Sequence, residues 1–416
     1  MSPPRSRTTG DRPTAPPGER LHALAARRYQ AIVLVVAALI FLGTISSPPS
    51  LMDDVDAAHS ATARTMLRTG DWVTPRLNGV KYLDKPPMMY WIKAVSFAVF
   101  GVHDWAARLP LALAAVLLCW ITARLAAWAF SPLAGLYAGL ALATSVGLFL
   151  FTRWSIAEAI LALTTAVSLW GFLRLLEGGE ARPRWWAILI GTSLGAGLLL
   201  KGLMGVVAPG GAVFFYLLLT RQLFSGHAWR RFRPLYVISA MLLVAAPWYV
   251  LATLANPPYF DFTLRSEPGQ YRGFFWMFFI NEHLLRYLNL RYPRDYNTVP
   301  LASFWLLHLV WLFPWSAYFP AAARLSYRPR DRAGRLRLLS LCWAGFLLLF
   351  FSFSTSQEYY TVPIYPALAL LVGAAIAEGG AWVRRGTYFA AGVASAAAVA
   401  ALAILYAVRG LPAEGD

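Results

Sequence analysis

The sequence predicts an all-α membrane protein of about eleven transmembrane helices, and three observations carry that prediction. Hydrophobic residues fill 58% of the 416 positions and charged residues only 14%. That apolar stock supplies about eleven spans of about 20 residues each and leaves little for a soluble core. The apolar residues come in long unbroken runs, whereas the strands of a porin-type barrel alternate in period two. The arginines, finally, gather in short connectors between the runs. This composition excludes a disordered chain, and Cys119 and Cys342, the two cysteines, lie inside apolar runs as small packing residues, not as a disulfide framework. The net charge of +17 is divided among connectors instead of forming one solvated face, so it reports insertion topology and no nucleic-acid partner.

Taken in order, residues 1–29 are rich in Pro, Arg and Gly without an apolar face and read as a disordered cytoplasmic tail. Ala31 to about Ile45 is a retained first span, because a long polar leader without a small-residue cleavage site does not suit a signal peptide. The weakly apolar stretch that follows makes a loop over about 46–104. Within it, a helical pattern runs from Ala57 to Thr69, and a second helix over 88–101 starts behind Pro86 and Pro87. Aromatics and Met accompany Lys93 in that second helix, the composition of a helix lying in the interface plane. Ten more apolar runs follow near 105–128, 133–152, 156–176, 185–200, 203–219, 235–255, 300–322, 338–354, 361–379 and 387–408. A second long loop falls at 256–299. The unit 30–410 is thus one transmembrane domain, and 411–416 is a short tail.

Orientation follows from the basic connectors. The tail, 177–185, 220–234, 324–337 and 382–386 all carry arginines, and alternation of eleven spans puts all five on one side. That side is cytoplasmic. The long loops and the turns near Trp154, Lys201 and Gln357 then share the opposite face, periplasmic in a bacterial inner membrane, where acids mix with bases.

That face holds the residues capable of chemistry. Asp53, Asp54 and Asp56 stand immediately before a helix, and three acids exceed what capping requires. Lys85 precedes the two prolines, where a mobile ammonium beside a helix start suits a phosphate; the competing reading is a lysine snorkelling to the interface. Arg64 lies on the helix behind the acids. Arg153 ends a span five residues before Glu158, so an ion pair between them competes with phosphate or sugar binding. Lys201 is interfacial, and snorkelling explains it equally well.

The run Asp53 to Arg108, with AR-x-ML-x-x-GDW, P-x-LNG, Y-x-DKPP and YW in the first loop, resembles the first periplasmic loop of polyprenyl-phosphate-dependent membrane glycosyltransferases. These are GT-C superfamily proteins related to the aminoarabinose lipid A transferase and the protein O-mannosyltransferases. Lys201-Gly202, Glu282-His283 with Arg286-Tyr287, and Ser352 through Leu370 resemble later family segments in the same order. One departure stands out. An ungapped match through Arg64 sets Val55 where the aminoarabinose branch has Asp and Asp56 where it has Glu, with His59 in place of a tyrosine.

The resemblance implies a GT-C fold and transfer of a sugar, with inversion, from a polyprenyl-phosphate donor. The acceptor would be a hydroxyl or phosphate-bearing group of a glycolipid such as lipid A, of an envelope glycan or of a protein. It implies a carboxylate base, with Asp54 and Asp56 both open and Asp53 beside them. Lys85, Arg64, Arg153 and Lys201 become candidates for the donor phosphate, and Glu158, Tyr82 and Glu282 candidates for sugar, acceptor or structural support. It also suggests a divalent metal at Asp84 and His283. Two readings compete: a secondary transporter, which would place charges and broken helices near mid-membrane in a repeated arrangement, and a lipid-binding scaffold, which needs neither clustered acids nor lysine.

Overall fold

The computed structural model describes residues 17–47, 50–51, 54–294, 298–354 and 357–409, with the side chains of 17–23 and Asp54 left out. Asp53, residues 1–16 of the expected tail and the C-terminal tail 411–416 therefore lie outside the described residues. Helix α1, Pro17–Phe41, opens a dozen residues earlier than expected. It begins within the stretch 1–29 read as a tail: Pro17 can occupy the first helical turn, and Glu19 to Ala26 are mostly good helix formers that continue into the span.

The first outer loop contributes α2, Asp54–Thr69, and α3, Met88–Phe100. Between them lies a two-stranded hairpin, β1 Arg76–Leu77 with β2 Val80–Lys81, in the register Arg76 to Lys81. Asn78-Gly79 turns it with φ of 51° and 83°, the left-handed pair that short hairpins favour. Then come α4 Asp104–Ala129, α5 Pro132–Ala143, α6 Val146–Arg153, α7 Glu158–Glu177, α8 Pro183–Lys201, α9 Met204–Leu219, α10 Gly226–Phe232 and α11 Pro234–Ala255. The second loop ends in α12, Gly273–Phe275, which widens into π-helical turns over Trp276–Leu285. After it stand α13 Leu301–Trp311, α14 Phe319–Ala322, α15 Arg332–Ser352, α16 Tyr365–Glu378 and α17 Ala381–Val408.

Every one of the eleven apolar runs is helical, but the count of eleven spans is not reached. Among the described residues seven helices are long and apolar enough to cross a membrane, or nine when α5 with α6 and α13 with the segment to Ala322 each count as one span. Those two pairs bend by 47° and 98°. Helix α9 has 16 residues, about 24 Å of rise, short of the hydrocarbon thickness of about 30 Å. Helix α8 is diluted by Arg184, Thr192, Ser193 and three glycines. One of these, Gly191, lets α11 come so close that a Cβ would lie 2.3 Å from the Val237 carbonyl oxygen, the small-residue packing typical of membrane helices.

The largest core gathers Leu118, Phe151, Leu169, Trp343 and Tyr365. Helix α17 stays outside it, with Gly386 its one buried residue, and so presents an apolar surface suited to lipid. The connectors expected on one side do meet: Glu177 accepts from Arg332 at 2.9 Å and from Arg335 at 3.4 Å, while Arg231 donates to the Leu176 carbonyl at 2.8 Å.

The two long loops meet at the opposite end. Cysteines replacing Val80 and Leu290, which are 70% and 60% exposed, should therefore both react with an impermeant thiol reagent in intact spheroplasts. Background should be low because Cys119 and Cys342 are buried. Protection of either introduced thiol breaks this topology.

Candidate active site

Separate segments bring charged and aromatic side chains to the end of the bundle that carries the long loops. In the first loop, Lys85 Nζ donates to Asp84 Oδ2 at 3.0 Å and lies 3.9 Å from Glu282 Oε2. Glu282 comes from the π-helical turns and also accepts from Arg286 at 3.2 Å, one helical turn on, and from Arg291. Its side chain is 3% exposed. The third segment is the end of α8, where Lys201 pairs with Glu158 at the start of α7, an acid at the positive end of a helix. The Lys201 ammonium also sits 4.6 Å from the ring centre of Tyr360, in the fourth segment, and 5.2 Å from that of Tyr359.

Of these groups Asp84, Lys85, Lys201, Glu282, Arg286 and Tyr360 line a cavity of about 310 Å³ whose remaining wall is largely apolar, with Leu203, Met204, Val207, Phe279, Leu284 and Phe350 in it. A polar rim on an apolar slot suits an amphiphile with an anionic head. Charges gathered at one end of the bundle, not near its middle, also separate this chain from the transporter pattern.

His283 lines the same cavity and has both ring nitrogens committed. Nδ1 lies 2.6 Å from the Phe278 carbonyl oxygen and Nε2 accepts the Leu203 amide at 3.1 Å, which fixes the neutral Nδ1–H tautomer. Burial, with Lys85 and Arg286 beside it, holds the imidazole down at about 4. Gly202 makes the contact with Leu203 feasible. Its φ is +60°, and a Cβ there would lie 2.2 Å from His283 Nε2.

The expected metal pair is incomplete as a site. Both nitrogens of His283 are hydrogen-bonded, Asp84 meets Lys85 through Oδ2 while its Oδ1 is buried without a hydrogen-bond partner, and no group of three metal-ligating side chains occurs among the described residues. Beside Asp84, burial and that carboxylate push the Tyr82 hydroxyl well up, so it serves as a neutral donor.

A second polar cluster lies behind α2. Lys93 is fully buried and donates to Ser60 Oγ at 3.1 Å, while Ser60 donates to the Asp56 carbonyl at 2.6 Å. Burial pulls the Lys93 ammonium down to about 7 against the opposing pull of Asp56, itself 3% exposed, with Arg108 adding to the fall. Arg108 and Arg153 donate to main-chain carbonyls between Thr44 and Ser47, clamping the chain after α1. His59 packs edge-on to Tyr90 at 5.4 Å and is kept neutral by burial and by the ammonium groups of Lys93 and Lys85.

The structure thus unites Lys85, Lys201, Glu158, Glu282, Asp84, His283 and Tyr82, but not every candidate. Arg153 does not pair with Glu158, which corrects that expectation: α6 ends facing the chain after α1, and Lys201 claims the acid instead. Arg64 is exposed on α2, and neither it nor Arg153 lines the cavity. Asp56 faces the Lys93 cluster and does not line the cavity either. Of Asp54 the structure gives only its place as the first residue of α2. Arg291 escaped sequence reading because no spacing marks it, whereas Arg286 stands in the family-like segment that Glu282-His283 opens and lies four residues after its partner.

Comparison with known proteins gives the same outline. Residues 84–251 match the family described as dolichyl-phosphate-mannose-protein mannosyltransferase. The undecaprenyl phosphate-alpha-4-amino-4-deoxy-L-arabinose arabinosyl transferase of Aeromonas salmonicida is 30% identical over 335 residues, covering 77% of this chain and 55% of the relative. That of Pectobacterium carotovorum is 28% identical, covering 83% and 58%. The chain thus spans little more than half the length of these curated relatives. Among solved structures, ArnT from Cupriavidus metallidurans bound to undecaprenyl phosphate superposes with a TM-score of 0.76 at 27% identity, covering 94% of this chain and 67% of that one. The oligosaccharyltransferase AglB from Archaeoglobus fulgidus, at 15% identity and a TM-score of 0.50, shares the fold alone.

Proposed function

Since this chain belongs to the GT-C superfamily of membrane glycosyltransferases, we propose that it transfers a sugar from a polyprenyl-phosphate carrier to an acceptor at the periplasmic face of a bacterial inner membrane. One observation carries the reading: Lys85, Lys201 and Arg286 converge on the rim of a cavity with an apolar wall. The cations suit the carrier phosphate, and the wall past Leu203 and Phe350 suits the prenyl chain.

In the step proposed, an acceptor oxygen attacks the anomeric carbon from the face opposite the phosphate. The bond from that carbon to the phosphate oxygen breaks, the configuration inverts, and polyprenyl monophosphate leaves with the electron pair. The cations offset charge growing on the leaving oxygen. When the acceptor is a hydroxyl, a carboxylate takes its proton, and Asp54 is the residue we assign, because Asp56 is held as the counter-charge of Lys93. Arg108 and Arg153 keep the preceding chain in place. His283 acts as a neutral brace between loops, and no step is routed through a metal.

The purified protein in lipid should release polyprenyl monophosphate from one member of a panel of undecaprenyl-phosphate sugars when given an envelope lipid extract. The panel should begin with 4-amino-4-deoxy-L-arabinose, the sugar named for the relatives. Mass spectrometry of both carrier and acceptor checks it. Consumption of no carrier-linked sugar in any extract overturns the reading.

A further inference from the structure

Glu282 has an unusual position for a carboxylate in a site that must bind phosphate. Its two oxygens meet three cations: Arg286 and Lys85 approach Oε2, and Arg291 donates to Oε1. The side chain is 3% exposed, so water screens it little. A site built only for the greatest phosphate affinity has no need of a buried anion among its cations. Its presence subtracts one unit of positive charge at the point where the phosphate would arrive.

That subtraction matters because the carrier changes charge during the reaction. The donor is a phosphodiester with one negative charge. The product is a phosphomonoester, which takes a second charge above its second ionisation near pH 6. A fixed carboxylate close to the phosphate penalises each negative charge, so the doubly charged product loses about twice what the singly charged donor loses.

We propose that Glu282 is a specificity-determining residue that sets the charge of the phosphate pocket, favouring the singly charged donor and expelling the doubly charged product. The inference rests on the polyprenyl-phosphate reading of the cavity. Glu282 gathers cations from the first loop, from its own helix and from the chain after it, and limits how much anion they hold.

The test measures two affinities at pH 8, those of undecaprenyl monophosphate and of its methyl diester, for the wild type, Glu282→Gln and Glu282→Asp in nanodiscs. The wild type should bind the diester at least as tightly as the monoester. Glu282→Gln should gain about tenfold or more for the monoester and much less for the diester, the scale of one charged contact. Its steady-state turnover should fall further than its single-turnover rate, because product lingers. Glu282→Asp, which keeps the charge, should retain the wild-type ratio.

A ratio that does not move in Glu282→Gln, or a parallel loss of both ligands, overturns the proposal, because a residue that merely assembles the cations changes both together. Should Glu282→Gln fail to fold, a clear wild-type preference for the monoester overturns it unaided. Binding of neither lipid by the wild type overturns the functional reading itself, and the proposal with it. Binding of both without a change in ratio overturns this proposal alone.

Discussion

Replacing Asp54 by Asn should lower the rate of sugar transfer to a hydroxyl acceptor by about two to four orders of magnitude, the usual loss when a general base is removed. Thermal stability and donor affinity should stay near wild type. Asp56→Asn should behave in the opposite way. Asp56 is the carboxylate that opposes the burial of Lys93, whose ammonium is already down at about 7, so without it the lysine sheds its proton or stays buried unpaired, and either costs stability. Its main effect should be a lowered melting temperature and poor accumulation. Adding Lys93→Met to that variant should recover much of the stability, since the two changes share one interaction. Single-turnover transfer and thermal unfolding on the three proteins check both assignments. A stable but inactive Asp56→Asn beside an active Asp54→Asn would exchange the two roles.

Lys85→Ala should weaken donor binding by about 1.5–3 kcal/mol, or about 10-fold to 150-fold, the value of a hydrogen bond to a charged group. Folding should be little affected because Lys85 is half-buried at a cavity rim, and Glu282 keeps Arg286 and Arg291 in its absence. Direct titration with the methyl diester of undecaprenyl phosphate, separate from any rate measurement, checks this. Unchanged affinity would mean that Lys85 merely anchors the loop through Asp84 and Glu282.

Much of the architecture was legible because membrane spans announce themselves by long apolar runs. The sidedness was legible as well, since arginines at Arg231, Arg332 and Arg335 were assigned to one face and are found joined there around Glu177. The number of crossings was less accessible. Whether α13 continues straight or bends by 98° depends on what packs around Leu312 to Pro314, not on hydropathy.

In the candidate site, Lys85 and Lys201 could be found because a charge beside an apolar run needs explaining, and Glu282 and His283 because they resemble a family segment. Their partners could not. The choice of Lys201 over Arg153 by Glu158 depends on how α6, α7 and α8 rotate, and the direction of Asp56 depends on which face of α2 meets Lys93. Periodicity reports neither. Lys93 was read as interfacial and is instead fully buried, because α3 packs against α2 and α4.

The bond from the Leu203 amide to His283, with no room for a Cβ at Gly202, has a mechanical consequence. It ties the second outer loop to the turn that carries Lys201 through a bond worth about 1 kcal/mol, so a displacement of either segment has to break that bond or take the other along. A side chain at position 202 would collide with the His283 ring and undo the tie.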